Sequence, residues 1–391
     1  MNYEAYDNMN LNSHEQLRFF VCDTTLRDGE QVNGVNYSPE QKLEIAMLLD
    51  KMGVESIDAG FAATSKRERD AIRLISEAKL NMRIMSMCRV VKEDVDYAIS
   101  CGVDGVILFI PSSDTHIKAK FGPDIIKERE KIVEKALNSI KYAKEKGLFV
   151  EFGLEDSSRT NVDIVLEILA KAEEAGADLL GTTDTVGWMT PERTYAFIKK
   201  LVDNLNRPVG IHCHNDLGLA TANTIAGLLA GAGYCSPTVN GIGERAGNAS
   251  LEEVIMTLKV LYGQNLKYDT KVISELSSTV ERYSGVNMDI LKPVIGRNAY
   301  THESGIHIHG MLKDTNTYEI FDPEMVGKSR EYIIGKHAGK NTIQHFLAKH
   351  GYEVTLEEAG EFWNTLKDRD CNDESFTEND VIKFYKEYRE K

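Results

Sequence analysis

A chain of 391 residues is longer than one ordinary domain and suits a barrel of roughly 250 residues carrying an appended region. Hydrophobic residues at 42% and charged residues at 27% give an ordinary globular balance, and the formal net charge of −15 argues against nucleic acid or an anionic membrane surface as a partner. No apolar run approaches the ~20 residues that span a bilayer, and the polar N-terminus carries no signal-peptide core. The cysteines (Cys22, Cys88, Cys101, Cys213, Cys235 and Cys371) include no CxxC pair, which points to reduced thiols in a cytoplasmic protein rather than a zinc knuckle or disulfide framework.

Short apolar, β-branched runs predict strands near 18–23, 55–60, 83–88, 104–110, 148–154, 178–183, 208–213 and 236–241. Amphipathic stretches over 39–52, 66–78, 92–101, 124–146, 161–175, 191–205, 219–232 and 250–262 predict helices between and after them. Eight strand–helix units predict an α/β fold, a (β/α)₈ TIM barrel, over 18–265, preceded by an N-terminal extension, 1–17. After 265 the alternation stops. A helical pattern at 271–285, Gly- and His-rich stretches at 296–310 and 335–339, and a polar helical tail at 355–391 predict a small, mainly helical C-terminal appended region over 266–391.

The polar residues sit where such a barrel places its chemistry, at the C-terminal strand ends. Arg27 and Asp28 follow the first strand, Asp58 lies on the second, Arg89 follows the third, Glu155 the fifth and Asp184 the sixth. His212 and His214 lie on or just past the seventh; Asn240 and Glu244 follow the eighth. One shared pocket is therefore expected. His212-Cys213-His214 puts two imidazoles on one face of a strand, because side chains at i and i+2 point the same way. With Asp28 and the Asn248 amide they form a nitrogen and oxygen donor set suited to a divalent ion, which brings Lewis-acid chemistry. A lone HxH reads equally well as two non-ligand histidines; Asp28 at another strand end shifts the balance towards metal. Arg27 reads either as a salt-bridged turn residue or as a fork for a substrate carboxylate or nascent alkoxide.

Five long segments, DTTLRDGEQ (23–31), HCHNDLGLATAN (212–223), NGIGERAGNASLEE (240–253), HESGIHIHGMLK (302–313) and GKHAG (335–339), resemble those of the isopropylmalate, homocitrate and citramalate synthases. The resemblance implies acetyl-CoA and a divalent metal (Mn²⁺, Mg²⁺ or Zn²⁺), with Asp28, His212, His214 and Asn248 as ligands. It implies Arg27 and Glu155 as catalytic residues, and Thr185 and Glu244 as substrate contacts; Asp58 and Arg89, at their strand ends, are read as further candidate substrate contacts. It further implies a homodimer in which His307 and Tyr318, on the appended region, complete the partner's active site. His302, His309, His337, Glu303 and Asp184 read as structural; Lys336 and Arg330 read as steering CoA phosphates or, as an exposed basic pair usually does, as solvated surface.

The chain is read as the short form of this family, and GLEDSSRTNVD with FTENDVIKFYKEY resembles the homocitrate synthases of nitrogen fixation. Lysine-pathway homocitrate synthases carry an Arg on strand five for the distal carboxylate of 2-oxoglutarate. The matching residue here is Glu151, a like charge that is more similar to the isopropylmalate and citramalate synthases, with Arg83 and Arg89 the candidate replacement cations. Met87 falls near the position of their strand-three His, and Asp58 replaces a Glu on strand two. Homocitrate synthase is the leading expectation, followed by isopropylmalate synthase and then by citramalate synthase or a citrate synthase of this family. A retro-aldol lyase acting on hydroxymethylglutaryl-CoA and a non-catalytic paralogue are the readings from other classes.

Overall fold

The computed structural model describes residues 16–335, 339–370 and 376–390. Lys336, His337, Cys371 and nearly all of the 1–17 extension lie outside the described residues.

Eight parallel strands close into a barrel in sequence order: β1 (Phe20–Asp23), β2 (Ser56–Asp58), β3 (Arg83–Cys88), β4 (Gly105–Pro111), β5 (Phe149–Glu155), β6 (Leu179–Asp184), β7 (Val209–Cys213) and β8 (Tyr234–Cys235). Pairing of Phe20 with Tyr234 closes the ring. The connecting helices bury their apolar stripes against the strands. The first, α1 (Pro39–Met52), shows how the sequence sets one: Ser38 and Gln41 form a capping box, Pro39 occupies the first turn, and Gly53 ends the helix at φ 91. Its buried face is Ile45, Leu48, Leu49 and Met52, the 3.6-residue stripe.

Two elements differ from the sequence expectation. The eighth strand lies at Tyr234–Cys235, not at 236–241. Pro237 has no N–H for a ladder, and its carbonyl instead accepts from Thr24 N at 3.0 Å. The chain then turns through Val239–Gly241 with Asn240 at φ 62. The stretch expected as one helix over 124–146 is preceded by a separate one: α4 (Asp114–Phe121) stands before α5 (Ile125–Glu145), after α2 (Lys66–Glu77) and α3 (Lys92–Ser100). Ser113 caps α4 by accepting from His116 N, and Gly122 ends it.

Inside the barrel, glycines make room for one large side chain. A Cβ on Gly210 would stand 2.0 Å from Tyr234 Cζ, and one on Gly181 would stand 3.0 Å from its hydroxyl. Gly210→Ala is therefore expected to lower stability by about 1–3 kcal/mol through overpacking, read as a lower denaturant midpoint at unchanged slope. An unchanged midpoint would mean that Tyr234 moves aside freely.

The chain divides into two compact units, Met1–Asn287 and Met288–Lys391. The second unit pairs β9 (Thr301–His302), β10 (Glu331–Ile334) and β11 (Phe376–Thr377) in a small sheet of order β11-β10-β9. Its own core includes Ile334, Ile343, Phe346, Phe362, Trp363 and Val381. No helix among the described residues is long and apolar enough to cross a membrane.

Candidate active site

The polar residues at the C-terminal strand ends converge on one cavity of about 470 Å³ inside the barrel unit. Arg27, Asp28, Asp58, Glu155, Thr185, His212, His214 and Glu244 all line it. The turn after β1 positions the first two: the backbone N–H groups of Arg27, Asp28 and Gly29 all donate to Thr24 O. Lys42, reaching in from α1, holds the same turn through Leu26 O at 2.9 Å.

Asp28, His212 and His214 form the one cluster of three potential metal-ligating side chains among the described residues, with their donor atoms within 4.8 Å of one another. The carbonyl of Ser236 lies 2.7 Å from His212 Nδ1 and can only accept, so it fixes the proton there. Nε2 of His212 is left with its lone pair, 3.3 Å from His214 Nε2 and 3.7 Å from Asp28 Oδ2. Asn248 donates to Asp28 Oδ2 and, at 3.1 Å, to Ile242 O. That leaves Asn248 Oδ1 and His214 Nδ1 buried without a partner.

Burial, then His212, pushes His214 down to about 3, and burial also lowers His212, so both rings are neutral near pH 7. Burial works against the Asp28 carboxylate, but Arg27, His212 and His214 outweigh it and hold it at about 2. Asp58 is pushed up by burial even though Arg27 Nε bonds its Oδ2 at 2.7 Å. Arg27 also bonds Asp28 Oδ1 at 2.9 Å and is thus held between two carboxylates. Two neutral imidazoles, one carboxylate and an unpartnered buried amide oxygen fit a divalent cation.

On the opposite wall Glu155 accepts from Lys120 Nζ at 2.6 Å and lies 3.5 Å from His116 Nδ1. Sequence reasoning missed His116 and Lys120, although their spacing of four on a helix following a strand is a readable signal. Thr185 Oγ1 accepts from Asp156 N at 2.8 Å. Arg245, beside Glu244, clasps Asp216. Asp184 accepts from Trp188 N and Met189 N and braces its own turn.

Arg89 is a correction: it does not line the cavity, because Nε and Nη2 close on Asp94 at 2.9 Å each, with the side chain 63% exposed. Arg83 is also outside the cavity lining, its guanidinium 3.7 Å from the Phe149 ring centroid. In the second unit, His307 and Tyr318 stack with ring centroids 4.0 Å apart, both exposed. His302 there bonds Glu319 at 3.2 Å, and Arg330 pairs with the same carboxylate rather than standing as solvated surface.

Residues 18–280 match the HMGL-like family model, and residues 294–373 match the homocitrate synthase post-HMGL domain-like model. The chain is 47% identical over 347 residues to homocitrate synthase AksA of Methanopyrus kandleri, covering 89% of this chain and 86% of that one. It is 45% identical to (R)-citramalate synthase CimA of Methanocaldococcus jannaschii, covering 89% and 70%. A probable 2-isopropylmalate synthase of Methanopyrus kandleri is 46% identical, covering 90% and 70%. Among solved structures, the hydroxymethylglutaryl-CoA lyase of Pseudomonas aeruginosa superposes with a TM-score of 0.63 at 17% identity, covering 70% of this chain and 95% of that one, a likeness of fold. With a family model spanning most of the barrel and relatives of this identity along nearly nine-tenths of the chain, the protein belongs to the HMGL-like family, in the branch of the homocitrate, citramalate and isopropylmalate synthases.

Proposed function

We propose that the protein is an acyltransferase that condenses acetyl-CoA with a 2-oxo acid and hydrolyses the thioester, with 2-oxoglutarate the leading substrate, as in a homocitrate synthase. The observation that carries the reading is Asp28, His212 and His214 converging beside Arg27 in one barrel cavity. The similarity to homocitrate synthase AksA along both chains supports the choice of acid. The near-equal identity to the citramalate and isopropylmalate synthases supports pyruvate and 2-oxoisovalerate as the second reading.

Asp28, His212, His214 and the Asn248 amide oxygen would hold the divalent cation. When bound it supplies Lewis-acid polarisation of the 2-oxo carbonyl. Arg27 offers a fixed guanidinium to the substrate carboxylate and to the alkoxide that condensation creates. Thr185 and Glu244 contribute to the substrate-facing wall. Glu155 would receive or return a proton during the condensation, and its neighbours Lys120 and His116 support this. We infer a homodimer in which His307 and Tyr318 of the partner subunit join that proton relay; their exposure and stacking support this.

The test is CoA-thiol release by Mn²⁺-supplemented protein with acetyl-CoA and, in turn, 2-oxoglutarate, 2-oxoisovalerate, pyruvate and oxaloacetate. Preference for 2-oxoglutarate is expected. Preference for another acid moves the protein to the corresponding synthase, and no release from metal-loaded protein with any acid overturns the reading.

A further inference from the structure

Taking a proton from a thioester methyl needs two groups, a base at the C–H bond and a donor at the carbonyl oxygen that receives the charge. Glu155 would be the first. Arg27 would serve the oxo acid across the barrel, since β1 and β5 stand on opposite sides of the eight-strand ring. A candidate for the second group stands beside Glu155.

Lys120 lines the same cavity, and its Nζ donates to Glu155 Oε2 at 2.6 Å. The fold fixes the helix that carries it to the strand end that carries Glu155. Ser112 N donates to Glu155 O at 3.0 Å, and Ser113 Oγ, the cap of α4, donates to the Asp156 carboxylate. Asp156 is fully buried at φ 59, in the left-handed region, and Arg159 holds its carboxylate as well. Two helical turns lead from Ser113 to Lys120 on one face of α4. His116 lies between them, 3.5 Å from Glu155 Oε1 and 3.7 Å from Asp156 Oδ2.

Lys120 has donors to spare. An ammonium carries three N–H groups, and the Glu155 carboxylate is its one hydrogen-bond partner among the described residues. The side chain is 45% exposed, so the ion pair is weak and the ammonium can turn to a further acceptor at little cost. The other cations lining the cavity are more firmly engaged: Arg27 closes on Asp28 and Asp58, and Arg245 on both oxygens of Asp216.

Resting on the acyl-transfer reading, we propose that Lys120 is a catalytic residue that donates to the thioester carbonyl oxygen of acetyl-CoA and stabilises the enolate. In this step the methyl C–H bond breaks and its proton passes to Glu155. The C–H electron pair forms the C=C bond, and the C=O pair moves onto the oxygen that Lys120 binds. On condensation that pair returns, the methylene carbon bonds the 2-oxo carbon, and the charge ends on the alkoxide beside Arg27. One ammonium shared by the carboxylate and the thioester oxygen sets their spacing, so that binding the oxygen also aims the methyl at the base. Acetyl-CoA covering this wall excludes water and makes the donor more effective.

Lys120→Met is expected to lower kcat by about 10²–10³-fold, the loss for removing one such donor, with KM for the 2-oxo acid little changed. CoA release from ordinary and methyl-deuterated acetyl-CoA shows which step has slowed. The deuterium isotope effect on kcat in Lys120→Met should be at least as large as in the unaltered protein. Lys120→Arg keeps charge and donors at the same place on α4 and should regain part of the rate. Melting temperature and Mn²⁺ affinity should stay close to those of the unaltered protein in both variants.

A Lys120→Met rate within tenfold of the unaltered protein overturns the proposal. So does a smaller isotope effect, which would put the loss in a later step. So does a loss that vanishes as pH rises, which would put it in the protonation of Glu155. A raised KM for the 2-oxo acid at unchanged kcat also overturns it, since Lys120 would then be a contact of that acid. Each of these leaves the acyl-transfer reading standing. No CoA release by the unaltered, metal-loaded protein with any acid overturns that reading and the proposal with it.

Discussion

His212→Ala is expected to abolish turnover and metal retention together. The expectation rests on how little else the imidazole does. Its Nδ1–H is committed to Ser236 O, and its Nε2 faces His214 Nε2 and Asp28 Oδ2. Removing it deletes one of two nitrogen donors and leaves His214 and Asp28 to hold the ion with an amide oxygen. Loss of polarisation at the reacting carbonyl is worth several kcal/mol, so CoA-thiol release should fall by about 10³-fold or more. Binding of a ligand to the folded state alone stabilises by about 2.7 kcal/mol at a hundred times Kd. The unaltered protein should therefore melt higher with saturating Mn²⁺, and His212→Ala should not. Elemental analysis after dialysis gives the direct count. A variant that keeps its metal and its activity would remove His212 from the ligand set.

The residues of this cluster are legible in the sequence because they lie in contiguous motifs at strand ends, where a period of two puts His212 and His214 on one face. Asp28 joins them because β1 and β7 both pair with β8 in the closed barrel. What stays hidden depends on packing between distant segments. The eighth strand is two residues long, too short to show alternation, and Pro237 truncates a run that composition alone extends to 241. Helix α4 is eight residues long, too short for its pattern to stand out, so the sequence reading starts its helix only at 124 and leaves His116 and Lys120, beside Glu155, unplaced.

Arg89 is expected at the pocket because it follows a strand. Asp94, buried in the first turn of the next helix, captures it, a local pairing that strand position does not reveal. Glu151 shows the same limit more sharply. The sequence displays a carboxylate on a strand, but its desolvation and its Tyr234 partner, 83 residues away, exist only once the barrel closes.

Lys42→Met is expected to produce the largest loss of stability, about 3–5 kcal/mol, the range for removing one partner of a buried ion pair. Lys42 is 1% exposed, and its ammonium carries three donors. They meet Leu26 O at 2.9 Å, Glu30 Oε2 at 2.7 Å and Glu68 Oε1 at 2.7 Å. Methionine matches the stem but satisfies none of these oxygens, leaving two mostly buried carboxylates facing each other. Glu68 is already pushed up by burial, with Lys42 the main influence holding it down. In the variant it rises further, so the deficit should be largest at neutral pH and shrink as acid protonates it.

The same substitution reaches the active site through geometry. Leu26 immediately precedes Arg27 and Asp28, and Glu68 receives Phe61 N in the loop after β2, where Phe61 lines the cavity. Lys42 thus ties the Arg27–Asp28 turn to a second wall of the pocket. Chemical denaturation across pH reads the stability loss, and metal affinity measured well below the melting temperature reads the displaced turn. A stability loss with unchanged affinity for Mn²⁺ would show that the turn after β1 holds its shape through the Thr24 carbonyl alone.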